Sequence, residues 1–154
     1  MLYSTDMNQS RTVDRDTLVL LAHLLRMGKG VEARMDGVLG ELNLSSTRMM
    51  ALCQIANANG EISLSQLASQ LAFVKSNATQ LVDRLESDGL VRRVQSSDDR
   101  RTTRIELTDE GKQDMQAAFR ALTVLEDQLR QMYSPEERAQ LLALVSRLCD
   151  AWPR

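Results

Sequence analysis

The chain has 154 residues, a formal net charge of −2, and 43% hydrophobic but only 3% aromatic residues. That length suits one domain with a sizeable aliphatic core, built by Leu, Met and Ala from helices more readily than from strands. A balance so near neutral excludes a protein held to polyanions by bulk charge alone. One histidine and two distant cysteines form no metal-ligand cluster of recognisable spacing. The longest apolar run, Leu18 to Ala22, is broken by His23 and falls far short of the roughly 20 residues of a membrane span. The opening MLYSTDMNQSRTVDRD is polar and lacks an apolar signal core, so the expected location is the cytoplasm. With no glycine-rich phosphate loop, nucleophile arrangement or metal motif, neither catalysis nor a cofactor is expected.

In chain order, Asp14 to about Gly40 predicts a long helix, with Leu18, Leu21, Leu24, Leu25, Val31, Met35, Val38 and Leu39 apolar. Gly28, Gly30 and Gly37 are points at which it can kink. Ser45 predicts the cap of a second helix through about Ala58, with Met49, Met50, Leu52, Cys53 and Ile55 on its inner face. Ser63 and Gln66 have capping-box spacing at the start of a short helix whose Leu64, Leu67, Ala68 and Leu71 face inward. The next helix buries Ala78, Leu81, Val82 and Leu85, which repeat at i, i+3, i+4 and i+7. Its opposite stripe holds Ser76, Asn77, Thr79, Gln80, Asp83 and Arg84, and Gly89 stops it. Two β-capable runs follow, Leu90 to Gln95 and Thr102 to Leu107, joined by the polar loop Ser96 to Arg101. Thr108 then caps a long helix ending near Tyr133. Ser134, Pro135 and Glu137 supply a cap, a first-turn proline and a capping-box glutamate for the last one.

Two short helices, a hairpin and an arginine-tipped turn over residues 63–108 are the order of a winged helix-turn-helix. The fold class is therefore mainly α with a small β part: about six helices and a two-stranded wing. Short hydrogen-bonding side chains near a helix N-terminus suit base edges in a major groove, Asn and Gln matching adenine. An arginine at the hairpin tip suits the negative potential of a narrow minor groove, and Asp98 is placed to orient Arg100. Charge agrees in distribution: residues 1–74 carry a net −1, residues 75–104 a net +2 from seven positive and five negative groups, and residues 105–154 a net −3. Double-stranded DNA is thus the expected partner, with a cytoplasmic, nucleoid-associated location. RNA is disfavoured because Phe73 is the head's only aromatic residue.

LVDRLESDGLVRR (residues 81–93), the DxRR of Asp98 to Arg101 and the LTDEG of Leu107 to Gly111 stand in register over the central third of the chain. In these motifs the chain resembles the MarR family of bacterial winged-helix transcriptional regulators. The resemblance implies a recognition helix carrying Lys75, Ser76, Asn77, Thr79, Gln80 and Arg84, and a wing whose Asp98, Arg100 and Arg101 meet DNA. Two positions depart from the family pattern. Ala72 and Val74 stand where relatives usually have a glycine and then a Ser or Asp cap, which leaves Ser76 as the expected cap. Gln80 replaces a residue that is frequently basic.

The outer helices, about 14–44 and 112–154, flank the head at about 45–111 in a single domain spanning 1–154. Met115, Ala118, Leu122, Leu125, Leu129 and Met132, then Leu141, Leu142, Leu144, Val145, Leu148 and Trp152, form stripes that suit a second copy of the chain. Packing within one chain would use the same period. By resemblance the function is that of a homodimeric repressor of a pseudo-palindromic operator, released by a small aromatic or phenolic effector. A small-molecule-binding or protein-interaction module on the same fold remains the alternative. Cys53 and Cys149 lack a strong neighbouring cation and read as small hydrophobes rather than oxidant sensors, and His23 as a solvent or interface residue.

Overall fold

The computed structural model describes residues 13–95 and 103–151. The chain divides into two compact units at Ala33 and Arg34. In the first, the described residues after Asp14 belong to helix α1 (Arg15–Leu39), which runs through Gly28 and Gly30 without interruption. The Asp14 carboxylate caps it, accepting from the Thr17 backbone N–H at 2.8 Å and hydroxyl at 2.6 Å. His23 is exposed, its ring nitrogen 2.7 Å from the Val19 carbonyl.

The second unit begins with the last turn of α1 and a 3-10 turn (Gly40–Leu42). Asn43 closes this turn in the left-handed region at φ 55°. Helix α2 (Ser46–Asn57) follows, its Ser45 hydroxyl accepting from the Arg48 N–H as the sequence anticipates. Strand β1 (Ile62–Ser63) leads into α3 (Leu64–Gln70), where Ser63 and Gln66 form the expected reciprocal capping box. Then come α4 (Lys75–Ser87), β2 (Val91–Gln95), β3 (Thr103–Leu107), α5 (Asp109–Met132) and α6 (Pro135–Ala151). Ser134 and Glu137 cap α6 by bonding each other's backbone N–H. The sheet has three antiparallel strands in the order β1-β3-β2, with Ile62 opposite Ile105 and Val91 opposite Leu107. The two-stranded wing of the sequence reading thus gains β1, whose two residues are too few to show a period of two.

The described residues form six α-helices, of which α2, α3, α4 and α5 pack against this sheet. Leu39, Met49, Leu52, Ile55, Leu67, Val82, Leu85 and Ile105 meet in a core almost fully removed from solvent, which Ala118 of α5 joins. Burying a side chain of Leu or Ile size contributes about 1.5–3 kcal/mol. One expected inner residue of α2 differs: Met50 is exposed, and Ala51 and Ser46 are buried instead. Phe73 is half-buried against the core.

A hydrogen-bonded junction ties the start of α5 to β2. The Thr108 hydroxyl accepts from Gly111 N–H at 3.0 Å and donates to the Gly89 carbonyl at 2.6 Å, while Thr108 N–H donates to Leu90 O. This brings α5 so close to β2 that a Cβ on Gly111 would lie 2.0 Å from the Leu90 carbonyl oxygen. The LTDEG signature is therefore a packing motif. Among the described residues, no helix is long and apolar enough to cross a membrane.

Candidate nucleic-acid interface

Helix α4 is the element that would read a groove. Its Ala78, Leu81, Val82 and Leu85 are buried as the period predicts, so the rest of its circumference faces away from the core. Lys75, Ser76, Asn77, Gln80 and Arg84 are all exposed. Thr79 differs: it is half-buried, and its hydroxyl donates to the Lys75 carbonyl at 2.9 Å, so its polar group is turned back into the helix. The residues expected from the wing tip, Asp98, Arg100 and Arg101, lie outside the described residues.

The α3–α4 turn corrects one expectation. Val74 occupies the N-cap position in extended backbone, and no side chain caps the helix; Ser76 lies inside the first turn and does not take that role. The first N–H groups of α4 are therefore open at the end that would meet DNA, where an anionic acceptor is favoured. Two residues earlier, Ala72 sits at φ 54°, a left-handed conformation that glycine adopts without penalty and alanine does not. The glycine usual in relatives at this turn has a physical reason, and this chain meets the geometry without it.

The positive charge of the head is partly consumed internally. On β2, the Arg93 guanidinium contacts Asp83 at 2.5 Å and also pairs with Glu86, whose other oxygen accepts from the Arg93 N–H at 3.0 Å. Partial desolvation works to lower the Arg93 pKa, but the Asp83 and Glu86 bonds outweigh it and hold the group above its ordinary value. Arg92 forks onto one oxygen of Glu106 at 3.1 and 2.9 Å, and Arg104 pairs with Glu61. Arg92, Arg93 and Arg104, the arginines of this hairpin among the described residues, thus each carry a carboxylate partner. No local sequence spacing foretells this. Asp83 and Glu86 are three apart on one helix, but their convergence on Arg93 depends on how the hairpin folds back.

Burial pushes the Cys53 thiol up, away from the thiolate that oxidation needs, whereas Cys149 is exposed on α6. No group of three or more potential metal-ligating side chains occurs among the described residues.

A winged head with this outward row is the architecture of a helix-turn-helix regulator, and comparison with known proteins agrees. Residues 44–103 match the model of the MarR family. The uncharacterized HTH-type transcriptional regulator YfiV of Bacillus subtilis is 30% identical over 113 residues, covering 71% of this chain and 70% of that protein. Among solved structures, the transcriptional repressor CouR bound to a 23-mer DNA duplex superposes with a TM-score of 0.77 at 22% identity, covering 91% of this chain and 99% of its own. The organohalide-sensing regulator RdhR in its 2,4-dichlorophenol-bound form gives a TM-score of 0.75 at 21% identity, covering 97% and 88%. The chain belongs to the MarR family, whose members are transcriptional regulators and not enzymes.

Proposed function

We propose that the protein is a homodimeric repressor that binds a pseudo-palindromic DNA operator, with α4 in the major groove and the arginine-tipped wing in the minor groove. The observation that carries this reading is the outward row of α4: Lys75, Ser76, Asn77, Gln80 and Arg84 stand exposed around an uncapped N-terminus, while the opposite stripe is buried. Asn77 and Gln80 each present both a donor and an acceptor, the pair of groups that adenine offers in the major groove. Arg100, oriented by Asp98, takes the minor groove, and Arg101 and Lys75 contact phosphate. Half-sites about 10 base pairs apart follow from two-fold symmetry.

Dimerisation is supported by α6, which buries none of its residues within the chain although Leu141, Leu142, Leu144 and Val145 are apolar. A small aromatic effector that favours one spacing of the two heads would release the operator through differential affinity alone. The phenol bound by RdhR supports that chemical class. The protein then works in the cytoplasm, at the nucleoid.

The test is fluorescence anisotropy against duplex from upstream of the protein's own gene and a shuffled control, titrated across salt. Tight binding to the native duplex alone is expected. Arg100→Ala should weaken it several-fold without unfolding the chain, and unchanged affinity would refute the minor-groove role. Gln80→Ala should relax preference at one base position by about 1–3 kcal/mol, whereas equal loss on every sequence would assign Gln80 to phosphate. A second reading, a head that contacts protein, draws on the pairing of Arg92, Arg93 and Arg104 with carboxylates. It requires no duplex binding at low salt and indifference to Arg100.

A further inference from the structure

Arg48 lies in the first turn of α2 and belongs to none of the groove contacts. Its guanidinium bridges two places: Nη1 donates to the Asn43 carbonyl at 3.1 Å, and Nη2 pairs with the Asp88 carboxylate. Asn43 is the left-handed residue that closes the 3-10 turn after α1, and Asp88 is the C-cap of α4. The Arg48 side chain is only 22% exposed, and its Nε is buried with no acceptor. An orphaned donor is unfavourable, so the side chain is held there by its two terminal nitrogens. Asp88 has its own reason to need the cation, because a carboxylate at a helix C-terminus faces the negative end of the dipole.

The first turn of α2 is itself keyed to α1. The Asp36 carboxylate accepts from Ser46 N–H at 2.6 Å, and Ser45 accepts from Arg48 N–H at 3.2 Å. Of the ion pairs that α4 and its C-cap make among the described residues, those of Asp83 and Glu86 go to Arg93 on β2, and that of Asp88 goes to α2. The first two join α4 to the wing, and the third joins both to the end of α1.

We propose that Arg48 is a positioning residue for DNA recognition, fixing the C-terminal end of α4 against the α1–α2 corner and so setting the half-site spacing that the dimer accepts. The inference rests on the DNA-binding reading above. With the link intact, α4 and the wing move with the corner at which α1 ends; without it, the recognition helix is free to shift at its C-terminal end while its buried stripe stays in place.

The experiment uses the full-length protein and a duplex that the wild type selects from a random pool, remade with one base pair added to or removed from the spacer. Arg48→Met keeps the aliphatic stem and removes both links. It should bind the selected duplex roughly tenfold more weakly and lose most of its preference among the three spacers. The swap Arg48→Glu with Asp88→Arg should recover the spacing preference. Asp88→Asn, which changes a half-exposed side chain, tests the same link should Arg48→Met fail to fold. Wild-type affinity and spacing preference in either single variant would overturn the inference, as would equal losses at all three spacers, which mark a purely structural role. Should the wild type select no sequence at all, the DNA-binding reading falls and the inference falls with it.

Discussion

The head and the outer helices share one sequence pattern but meet opposite fates. In the head, the stripes of α2, α3 and α4 close on each other and on the sheet, leaving Leu52, Ile55, Leu67, Val82 and Leu85 with no exposed surface. In the outer helices the same 3.6-residue period seats Met115, Ala118 and Leu122 against that core but leaves Met132 62% exposed, Leu142 68% and Leu144 55%. The α1 residues Leu18, Leu20 and Leu25 are exposed as well. Each uncovered Leu forgoes about 1.5–3 kcal/mol, so a row of them suits the proposed dimer seam. Periodicity reports that a face is to be buried; it is silent on whether the cover lies in the same chain.

The sharpest way to break the comparison is to disrupt the closed region at its tightest point. Gly111→Ala places a methyl against the Leu90 carbonyl, a backbone atom that cannot rotate away. A loss of about 3 kcal/mol or more in urea unfolding is expected, together with loss of operator binding, because the Thr108 junction sets the wing. A near-native midpoint would mean that α5 and β2 separate easily. The open region should answer differently. Leu142→Glu lies on a surface exposed within the chain and should leave single-chain packing intact, but it places a charge in the proposed dimer seam. Sedimentation equilibrium should show the apparent mass halved, and operator affinity should fall with it. A variant with wild-type mass and affinity would assign that face to solvent.

The head was largely legible from sequence because its signals are local. Ser45, Ser63, Thr108 and Ser134 each cap the helix that the sequence assigned to them, since a cap needs only residues three apart. The stripe of α4 was legible for the same reason. The rest is set by tertiary approach. Strand β1 exists only because β3 lies beside it, and Arg93 gathers Asp83 and Glu86 only because the hairpin folds back on α4. Arg48 and Asp88, forty residues apart, offered no spacing to read. The absence of a side-chain cap at Val74 also overrode a local expectation: Ser76 has the right chemistry but sits two positions too late to precede the first turn.

At the boundary between closed and functional regions, Ala72 offers a smaller and opposite test. Its φ of 54° is a conformation glycine tolerates freely, whereas an L side chain meets the neighbouring carbonyl there. Ala72→Gly relieves that strain but gives the unfolded chain more freedom. The net expectation is a gain of roughly 0.5–1 kcal/mol in urea unfolding, with α4 unmoved and base preference unchanged. A loss of stability would show that the unfolded-state entropy outweighs the strain.

The smallest expected effect concerns the link between the end of α1 and α2. The bonds from Ser46, backbone first and hydroxyl second, hold the Asp36 carboxyl below the ordinary carboxylate range. A carboxylate depressed in the folded state contributes stability above its unfolded pKa and loses it as the pH falls through the folded value. Acidification should therefore weaken the wild type at this corner. In Asp36→Asn the side-chain oxygen can still accept from Ser46 but no longer titrates. The two proteins should differ most near neutral pH, with the wild type more stable, and converge in acid below the carboxylate range, as read from urea midpoints across pH. Because Asp36 is exposed, solvent screens this contribution. A gap that stayed constant with pH would show that the charge is immaterial and that the hydrogen bond alone secures α2.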